Sequence, residues 1–342
     1  MKIGILTGGG DCPGLNPVIR AVVRQAINNG DIALGIKYGW KGLLSKDVEE
    51  LSLQKISGIL PRGGTILGTS RTNPYKDENG PQLIEKNFRE LGLDALVAVG
   101  GEDTLGVAYK LYKEKNLNVV GVPKTIDNDL SATDFTFGFD TAVNIVTECI
   151  DRLHTTAESH NRIMVVEVMG RHAGWIATYG GIAGGADYIL IPEIPIDIDE
   201  VIESIKKRHM RGKNFSIIVV AEGATFKDDT YYVQEKELDE FGHIKLGGIG
   251  NALGDILKNK LKYDVRVTVL GHIQRGGSPT AFDRILGTRF GVKAYELVKK
   301  SKFGLMCALS GNKIIEVSLE DAVKELKTVD MEIYNIAKIF FG

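Results

Sequence analysis

The sequence predicts an α/β protein in which mostly parallel sheets are covered by helices on both faces. Short apolar runs alternate with amphipathic stretches of helical length along most of the 342 residues, which is the pattern of repeated β-α units. The apolar runs are typical of strands buried on both faces. Many of them end in glycine followed by a charged residue. Because open α/β sheets bind ligands beyond the carboxyl ends of their strands, this recurrence predicts where the functional site lies.

Composition and charge exclude several classes of function. The length suggests roughly two domains, and a chain with 43% hydrophobic and 25% charged residues is an ordinary soluble globular protein. The net charge of −2 provides no basic field for nucleic acid. No apolar run is long enough to span a bilayer. We therefore expect neither a nucleic-acid partner nor a membrane partner.

The three cysteines favour a reducing compartment. Cys12, Cys149 and Cys307 are odd in number and widely spaced, which disfavours both a disulfide framework and a zinc site. The apolar run at residues 1–7 leads directly into glycines, so it predicts a strand and not a signal peptide. These features lead us to expect a cytoplasmic protein.

The first predicted strand, residues 2–7, leads through a glycine-rich turn at 8–16 into an amphipathic helix at 16–29. Such a turn can press backbone N–H groups against a phosphate group, although a tight βα turn without a ligand explains the glycines equally well. The turn lacks the GxGxxG spacing, and no acidic residue at the end of a second strand suits a ribose. An NAD-linked oxidoreductase is therefore disfavoured.

Two loops further along have anion-binding character. A strand at 32–38 precedes a loop of glycine and hydroxyl residues that ends in Arg71. Arg71 alone is consistent with a surface charge, but the small residues before it favour contact with an oxyanion. A strand at 94–99 ends in Gly-Gly and two adjacent acids, Glu102 and Asp103, which open a helix to about residue 113. The helix dipole explains one acid at this position, and the pair predicts that one of them holds Mg²⁺.

Residues 123–129 follow another predicted buried strand, residues 118–122. They place the carboxylates of Asp127 and Asp129 close to Lys124. A carboxylate can take a proton from a hydroxyl group, and phosphate binds to cations and N–H donors. A polar turn or a helix cap explains the Asp-Asn-Asp run alone, but the lysine and the preceding strand favour a site for an anionic substrate.

The rest of the chain repeats the same arrangement. Polar or charged residues follow three more strands: Arg171 after 164–168, Glu222 after 215–221, and His272 and Arg275 after 266–270. The other predicted elements are helices at 82–92, 140–159, 198–211, 250–261 and 281–300, strands at 187–191, 305–309 and 313–317, terminal helices, and a polar excursion at 225–246.

Seven segments of the chain, in order and with sensible spacing, resemble the 6-phosphofructokinase family. One Gly-Gly-acid loop alone would be weak support, but seven motifs in register cover nearly the whole chain. Residues 225–246 and the tail after about 310 match least. The segments are GGDCPGLN at 9–16, GGTILGTSR at 63–71, GGEDT at 100–104, PKTIDND at 123–129, NRIMVVEVMGRHAGW at 161–175, AEG at 221–223 and VTVLGHIQRGGSP at 267–279.

The resemblance implies two similar three-layer α/β/α domains with the active site in the cleft between them. A phosphoryl-donor domain would comprise residues 1–138 with about 252–305, and a sugar-phosphate domain residues 139–251 with about 306–342. The implied reaction is Mg²⁺-dependent phosphoryl transfer to the 1-hydroxyl of fructose 6-phosphate, a step of glycolysis. Because family members share active-site residues between subunits, a homodimer or homotetramer is also implied.

Matching positions imply a role for each site residue. Asp127 would take the proton of the hydroxyl group, with Lys124, Arg71 and Asp103 as the other catalytic residues. Gly10, Asp103, Thr104 and Lys124 would bind the donor, and Glu102 would hold Mg²⁺. The residues implied to bind the sugar phosphate are Thr125, Asp127, Asp129, Arg162, Met169, Gly170, Arg171, Glu222, Arg266, His272 and Arg275, of which Arg162 and Arg266 reach in from a neighbouring subunit in family members.

Two departures from the ATP-using members concern the donor. Asp103 and Lys124 stand where those members have glycine. Asp103 would place a negative charge where the α-phosphate of ATP lies, and two like charges about 4 Å apart repel by roughly 4 kcal/mol at an effective dielectric constant of about 20. Lys124 would add a cation beside the transferring phosphoryl group. Together the two changes resemble the pyrophosphate-dependent enzymes, and the short GGEDT form resembles the mixed-substrate bacterial group.

The same comparison concerns regulation. Five residues match positions of the effector site of regulated bacterial members: Arg20, Arg24, Asp187, Arg211 and Lys213. Asn214 stands where a lysine is usual. We therefore predict a weakened effector site and hyperbolic, non-allosteric kinetics.

Other functions stay open at this point. An ATP-dependent 6-phosphofructokinase, or the same chemistry on another sugar phosphate such as sedoheptulose 7-phosphate, lies within the same class of enzyme. A non-catalytic sugar-phosphate sensor belongs to another class. It would need neither a base nor a metal, so the intact Asp127 and Asp129 and the acidic pair at 102–103 disfavour it.

Overall fold

The computed structural model describes residues 1–228 and 246–342, so the predicted excursion at 225–246 lies mostly outside the described residues. In chain order the strands are β1 (Lys2–Thr7), β2 (Ile32–Ile36), β3 (Val48–Glu50), β4 (Ala95–Gly100), β5 (Val119–Thr125), β6 (Phe137–Gly138), β7 (Ile163–Val168), β8 (Tyr188–Leu190), β9 (Ser216–Ala221), β10 (Val265–Val269), β11 (Leu305–Ser310) and β12 (Lys313–Ser318).

The strands alternate with helices over most of the described chain. The helices are α1 (Leu15–Asn28), α2 (Trp40–Ser45), α3 (Gly80–Glu90), α4 (Glu102–Lys115), α5 (Phe139–His160), α6 (Trp175–Ala183), α7 (Ile198–Met210), α8 (Ile249–Leu261), α9 (Ala281–Lys299), α10 (Leu319–Lys324) and α11 (Met331–Lys338), with 3₁₀ turns at Pro74–Lys76 and Gly271–Arg275. No helix within the described ranges is long and apolar enough to cross a membrane.

The strands form two sheets. The larger has the order β12-β11-β5-β4-β1-β2-β3, with β6 beside the end of β5. Its central pairs are parallel, and within the described residues the antiparallel strands are the two at its edges, β3 and β12. The smaller sheet has the order β10-β7-β9-β8, and all its pairs are parallel. The predicted fold, two α/β domains with mostly parallel sheets, is therefore confirmed.

Successive side chains of a strand point to opposite faces of its sheet, so each sheet lies between two packed layers. In β1, Ile3 and Ile5 belong to one buried cluster and Leu6 to another, as the two-residue period of a strand requires. The first of these clusters also contains Val166 and Val219 from the smaller sheet, so the inner faces of both sheets share one core. This shared core fixes the two domains against each other.

Sheet membership divides the chain differently from the predicted domain boundaries at two places, and those boundaries stay a prediction. β10 pairs with β7 and so belongs to the smaller sheet. β11 pairs with β5 and β12 with β11, so these two strands belong to the larger sheet. The partner of a strand is a non-local contact, which the local pattern of residues does not specify.

The predicted strands and helices are present, with ends that differ by a few residues. The difference that matters is in β5, which extends to Thr125, so Lys124 and Thr125 lie in the strand and not in the turn after it. Four short elements were not predicted: α2, α6, β3 and β6. The sequence of α6 is mostly apolar and contains two glycines, so it lacks the polar-apolar period that identifies a surface helix.

Candidate active site

A cleft lies where the carboxyl ends of strands from both sheets meet. Its empty volume, open solvent included, is about 550 Å³. Ends and following loops of β1, β4, β5 and β7 form its walls, together with the 3₁₀ turn after β10. This is the location that the strand-end pattern predicts. The lining residues are Gly9, Gly10, Arg71, Gly101, Glu102, Asp103, Thr104, Lys124, Thr125, Asp127, Asp129, Arg171 and Arg275.

The glycine turn after β1 lets a side chain from the other domain reach the cleft. A Cβ atom on Gly10 would collide with the guanidinium group of Arg275. Nη1 of Arg275 donates a hydrogen bond to the carbonyl oxygen of Asp11 at 3.3 Å. Arg275, which was predicted to bind the sugar phosphate, therefore lies against the turn that was predicted to bind the donor.

The first turn of α4 supplies the acidic wall. Glu102 is exposed, Asp103 is half-buried and Thr104 is buried. A Cβ atom on Gly8 or on Gly100 would lie 2.6 Å from Oγ1 of Thr104, so the threonine fills the space between the ends of β1 and β4. This packing explains Thr104 without a ligand, whereas both acids face the cleft.

Lys124 contributes a buried cation. It is 4% exposed, and its Nζ donates to the carbonyl oxygen of Gly10 at 2.5 Å. Burial lowers the pKa of Lys124, because desolvation disfavours the charged form, and the guanidinium group of Arg275 acts in the same direction. The carboxylates of Asp127 and Asp11 oppose this shift. Lys124 thus ties the end of β5 to the glycine turn and places an amino group in the wall of the cleft.

Asp127 presents a carboxylate oxygen without a donor. The side chain is 4% exposed, and its Oδ1 is buried with no hydrogen-bond partner among the described residues. The backbone N–H of Asp127 donates to Oγ1 of Thr125 at 3.0 Å, and that hydroxyl group donates to Oδ2 of Asp127 at 3.3 Å. A buried acceptor that lacks a donor is unfavourable. Its presence in the cleft therefore suits a ligand hydroxyl group.

Two further carboxyl groups surround Asp127. The pKa of Asp129 is raised to about 7, mainly by burial and also by the negative charge of Asp127. The pKa of Glu222 is also raised to about 7, first by burial and then by Asp127. Carboxyl groups with such values exchange protons near neutral pH and are typical of functional sites.

Loops of the smaller sheet hold the sugar-domain side of the cleft. The backbone N–H of Arg171, a residue with φ of 51°, donates to Oε1 of Glu222 at 3.2 Å. The backbone N–H of Met169 donates to Oε1 of Gln274 at 3.2 Å. These two bonds join the loop after β7, which includes Gly170, to the loops after β9 and β10. The structure therefore brings Met169, Gly170, Arg171 and Glu222 together, and their role in binding the sugar stays a prediction.

Two predicted residues, Arg162 and Arg266, lie away from this cleft. Arg162 directly precedes β7 and Arg266 is in β10. Both residues lie at the end of the smaller sheet where its parallel strands begin. Both pair with Asp264, at 2.6 Å for Arg162 and 3.2 Å for Arg266. His272 is exposed. One chain alone therefore does not bring Arg162 or Arg266 to the other predicted sugar-phosphate residues.

Comparison with known proteins agrees with this geometry. The phosphofructokinase family model matches residues 2–298. The chain belongs to the phosphofructokinase family. It is 55% identical to the pyrophosphate–fructose 6-phosphate 1-phosphotransferase of Amycolatopsis methanolica, with all of both chains covered. It is 52% identical to the ATP-dependent 6-phosphofructokinase of Corynebacterium efficiens, over all of this chain and 99% of that one.

A solved structure supports the same assignment. Phosphofructokinase from Saccharomyces cerevisiae superposes with a TM-score of 0.82 and 34% identity, and the match covers 99% of this chain and 46% of that one. The predicted family is therefore confirmed, and this phosphofructokinase-family protein is a phosphotransferase. This sets aside the non-catalytic sensor and the oxidoreductase.

The acidic wall of this phosphofructokinase-family cleft fits a divalent cation. Mg²⁺ usually keeps several waters and binds one or two carboxylates together with substrate phosphates. Glu102 and Asp103 offer such carboxylates. In residues 1–228 and 246–342, no group of three or more His, Cys, Asp or Glu side chains is arranged to hold a metal. The two carboxylates of Glu102 and Asp103 thus fit a cation that phosphate oxygens also help to hold.

The predicted effector positions make contacts of their own. Asp187 pairs with Arg208 at 2.9 Å. Arg211 donates to the carbonyl oxygen of Gly342 at 2.8 Å, and the N–H of Gly342 donates to the carbonyl oxygen of Asp187 at 3.2 Å. Arg208 and Gly342 were not predicted. The weakened effector site stays a prediction.

Three residues that the sequence did not single out contact this site. Asn128 lies between the two aspartates with φ of 52°, and Gln274 holds Met169. Lys327 donates its backbone N–H to the carbonyl oxygen of Asp129 at 2.9 Å. Asn128 is within the quoted motif, but Lys327 lies in the tail that resembles the family least, so no pattern marks it.

We expect the ionised carboxylate of Asp129 to destabilise the folded protein at alkaline pH. Its pKa in the folded protein, about 7, exceeds the ordinary 3.8, so between these values the folded state binds more protons than the unfolded state. Stability therefore falls as the pH rises through this interval. We expect Asp129→Asn to raise the free energy of unfolding at about pH 8 by roughly 1–4 kcal/mol, and the gain to shrink towards zero near pH 4. Urea unfolding across this range measures both.

The matched control is Asp151→Asn, which makes the same chemical change at an exposed position of α5. It should stay within about 0.5 kcal/mol of the wild type at each pH. Equal stability of Asp129→Asn and wild type at about pH 8 would show that burial of this carboxyl group costs the fold nothing.

Proposed function

We propose that this phosphotransferase transfers a phosphoryl group reversibly between pyrophosphate and the 1-hydroxyl of fructose 6-phosphate, with Mg²⁺. The products are phosphate and fructose 1,6-bisphosphate. The observation that carries the proposal is the presence of Asp103 and Lys124 in the wall of one cleft. Relatives named for pyrophosphate and for ATP are 55% and 52% identical, so the choice of donor is argued from these two side chains.

Asp103 stands between the cleft and a second cavity. This second cavity, about 630 Å³ of empty volume with open solvent included, shares Glu102 and Asp103 with the cleft. Its other lining residues are Asn73, Gly106, Val107, Tyr109, Lys110 and Val323. A nucleoside triphosphate with its reacting phosphate in the cleft would pass its inner phosphate by the Asp103 carboxylate. Like charges oppose this passage, whereas pyrophosphate fits within the cleft alone.

Cations offset the charge of the smaller donor. Lys124, Arg71, Arg171 and Arg275 all line the cleft. Phosphoryl transfer requires mainly alignment of the reactants and stabilisation of charge on oxygen atoms. Mg²⁺, held by Glu102 with Asp103 beside it, would supply further charge neutralisation when bound.

Asp127 acts as the general base. Its Oδ1 lacks a donor within the described residues, so it is available to accept the proton of the sugar hydroxyl group. Thr125 holds the other oxygen and orients the carboxylate. Asp129 and Glu222, each with a pKa near 7, limit the total negative charge beside Asp127 at neutral pH. This favours approach of the anionic sugar phosphate, which Met169, Gly170, Arg171 and Glu222 contact.

A neighbouring subunit completes the sugar-phosphate site. Arg162 and Arg266 lie at the edge of the smaller sheet opposite to Glu222, and both are held by Asp264. From this edge they reach the cleft of a partner and not their own. His272, which is exposed, joins them at the 6-phosphate. The functional unit is therefore a homodimer or a homotetramer.

The donor is tested by steady-state assay of the pure protein with Mg²⁺, fructose 6-phosphate and either pyrophosphate or ATP. We expect kcat/KM for pyrophosphate to exceed that for ATP, because Asp103 opposes the inner phosphate. A value for ATP equal to or above that for pyrophosphate would establish the ATP-dependent alternative. Sedoheptulose 7-phosphate as the acceptor in parallel reactions tests the other alternative.

Replacing Asp103 tests the block to ATP directly. Asp103→Gly should raise kcat/KM for ATP, by up to about three powers of ten if the whole repulsion of roughly 4 kcal/mol is relieved. Asp151→Asn is the control, because it removes an exposed carboxylate that lines neither cavity. It should leave the ratio of the two donors unchanged. No gain of ATP use in Asp103→Gly would locate the discrimination elsewhere.

Subunit mixing tests the shared site. Asp127→Asn and Arg162→Ala should each be nearly inactive, but hybrids formed by refolding them together contain a cleft with both native residues. We expect activity to return in the hybrids. The control mixes Asp127→Asn with Asp129→Asn, whose defects lie in the same cleft, and should regain much less. Equal recovery, or none, in both mixtures would mean that each chain supplies its own arginines.

A further inference from the structure

We propose that Lys327 is a positioning residue that holds the Asp127–Asp129 carboxylates in register with the sugar-domain side of the cleft. It lies between α10 and α11, in the segment 325–330 of the tail. The inference rests on the proposed function for its kinetic part only.

The tail backbone binds the segment that follows Asp127. Leu326 and Leu130 form an antiparallel bridge, and the N–H of Lys327 donates to the carbonyl oxygen of Asp129 at 2.9 Å. Oγ of Ser131 donates to the carbonyl oxygen of Glu325 at 2.6 Å. The second aspartate of the motif is therefore paired through its backbone with the tail.

The side chain of Lys327 fixes the other end of the same loop. Its Nζ donates to the carbonyl oxygens of Thr133 and Asp134, both at 2.8 Å. The carbonyl oxygen of Asp134 also accepts a hydrogen bond from Nδ2 of Asn128 at 3.4 Å. Asn128 lies between the two aspartates in the left-handed region, a conformation that surrounding contacts must maintain. Lys327 thus reaches the catalytic motif through one shared acceptor.

Lys327 also contacts the sugar-domain side. Its Nζ lies 5.0 Å from the centroid of the Trp175 ring, and Nε1 of Trp175 donates to the carbonyl oxygen of Lys327 at 2.9 Å. Two residues further, the N–H of Val329 donates to Oε1 of Glu193 at 2.9 Å. The same carboxylate accepts the N–H of Gly174 at 2.9 Å. The tail therefore joins the loop after β5 to the start of α6 at Trp175, which follows the loop that contains Arg171.

A passive packing role does not account for this arrangement. Burial lowers the pKa of Lys327 to about 8, so the fold keeps a cation where desolvation disfavours it. The carboxylates of Asp134 and Asp129 offset part of that cost. An apolar side chain of similar length could fill the volume, but it could not donate to two carbonyl groups. The ammonium group is therefore needed to hold the loop that contains Thr133 and Asp134.

The test compares Lys327→Met and Lys327→Arg with the wild type. Lys324→Met serves as the control, because it removes an exposed lysine from the same tail. Amide hydrogen exchange of the free protein reports on the loop, since the N–H groups of Asp134 and Thr136 are hydrogen-bonded in place. We expect Lys327→Met to accelerate exchange over residues 129–136 by about tenfold or more. Lys324→Met should not, and Lys327→Arg should restore most of the protection.

Kinetics then separates positioning from simple stabilisation. Displacing a catalytic base by about 1 Å can slow turnover by roughly 100-fold. We expect kcat of Lys327→Met to fall about 10- to 100-fold while KM for fructose 6-phosphate changes far less, with partial rescue in Lys327→Arg. If Lys327→Met does not fold, Lys327→Gln, which keeps an N–H donor without the charge, is measured in its place.

The outcomes distinguish this inference from the proposed function. Unchanged loop exchange together with unchanged kcat in the variant, or an equal change in Lys324→Met, would overturn the inference. Absence of turnover in the wild type with pyrophosphate would overturn the proposed donor instead, and the exchange comparison would still decide the role of Lys327.

Discussion

Burial of the Asp127 carboxylate where two sheets meet is the constraint on which the rest of the cleft depends. Asp127 is 4% exposed, and a carboxylate buried so deeply needs hydrogen-bond donors. Its Oδ1 has no donor within the described residues. Its charge contributes to the raised pKa of both Asp129 and Glu222. The fold therefore concentrates three carboxyl groups in one place, although separate carboxyl groups in water would be more stable. Such a cost is typical of a site retained for its chemistry.

The neighbouring cations are consistent with the same constraint. Lys124 enters from β5 and Arg275 from the turn after β10, and both meet the backbone of the glycine turn. Side chains from both domains thus converge on the turn after β1, where Gly10 has no side chain to obstruct Arg275. In the proposed reaction these cations face the oxygen atoms of the donor, while Asp103 limits how large that donor is. Donor choice and catalysis would then depend on the negative charge of Asp103 and the positive charge of Lys124.

The tail segment 325–330 contacts both sides of the cleft. Strand β11 and helix α10 lie with the larger sheet, yet the segment between α10 and α11 contacts Asp129 on one side and Trp175 on the other. The two halves of the cleft are therefore held together by residues distant from either half in the sequence. The domains share one hydrophobic core as well, so the cleft is built on a rigid framework.

The sequence by itself determined most of the strands and helices, and the residues at the strand ends that line the cleft. These features depend on local periodicity and on turn chemistry, which neighbouring residues specify. The tertiary structure alone decided that β10 joins the smaller sheet and β11 the larger, and that Arg162 and Arg266 lie at the far edge beside Asp264. It alone showed that Lys327 contacts the loop after β5. Each of these is a contact between segments far apart in the chain, and it depends on how whole elements pack, a choice that no short stretch of residues encodes.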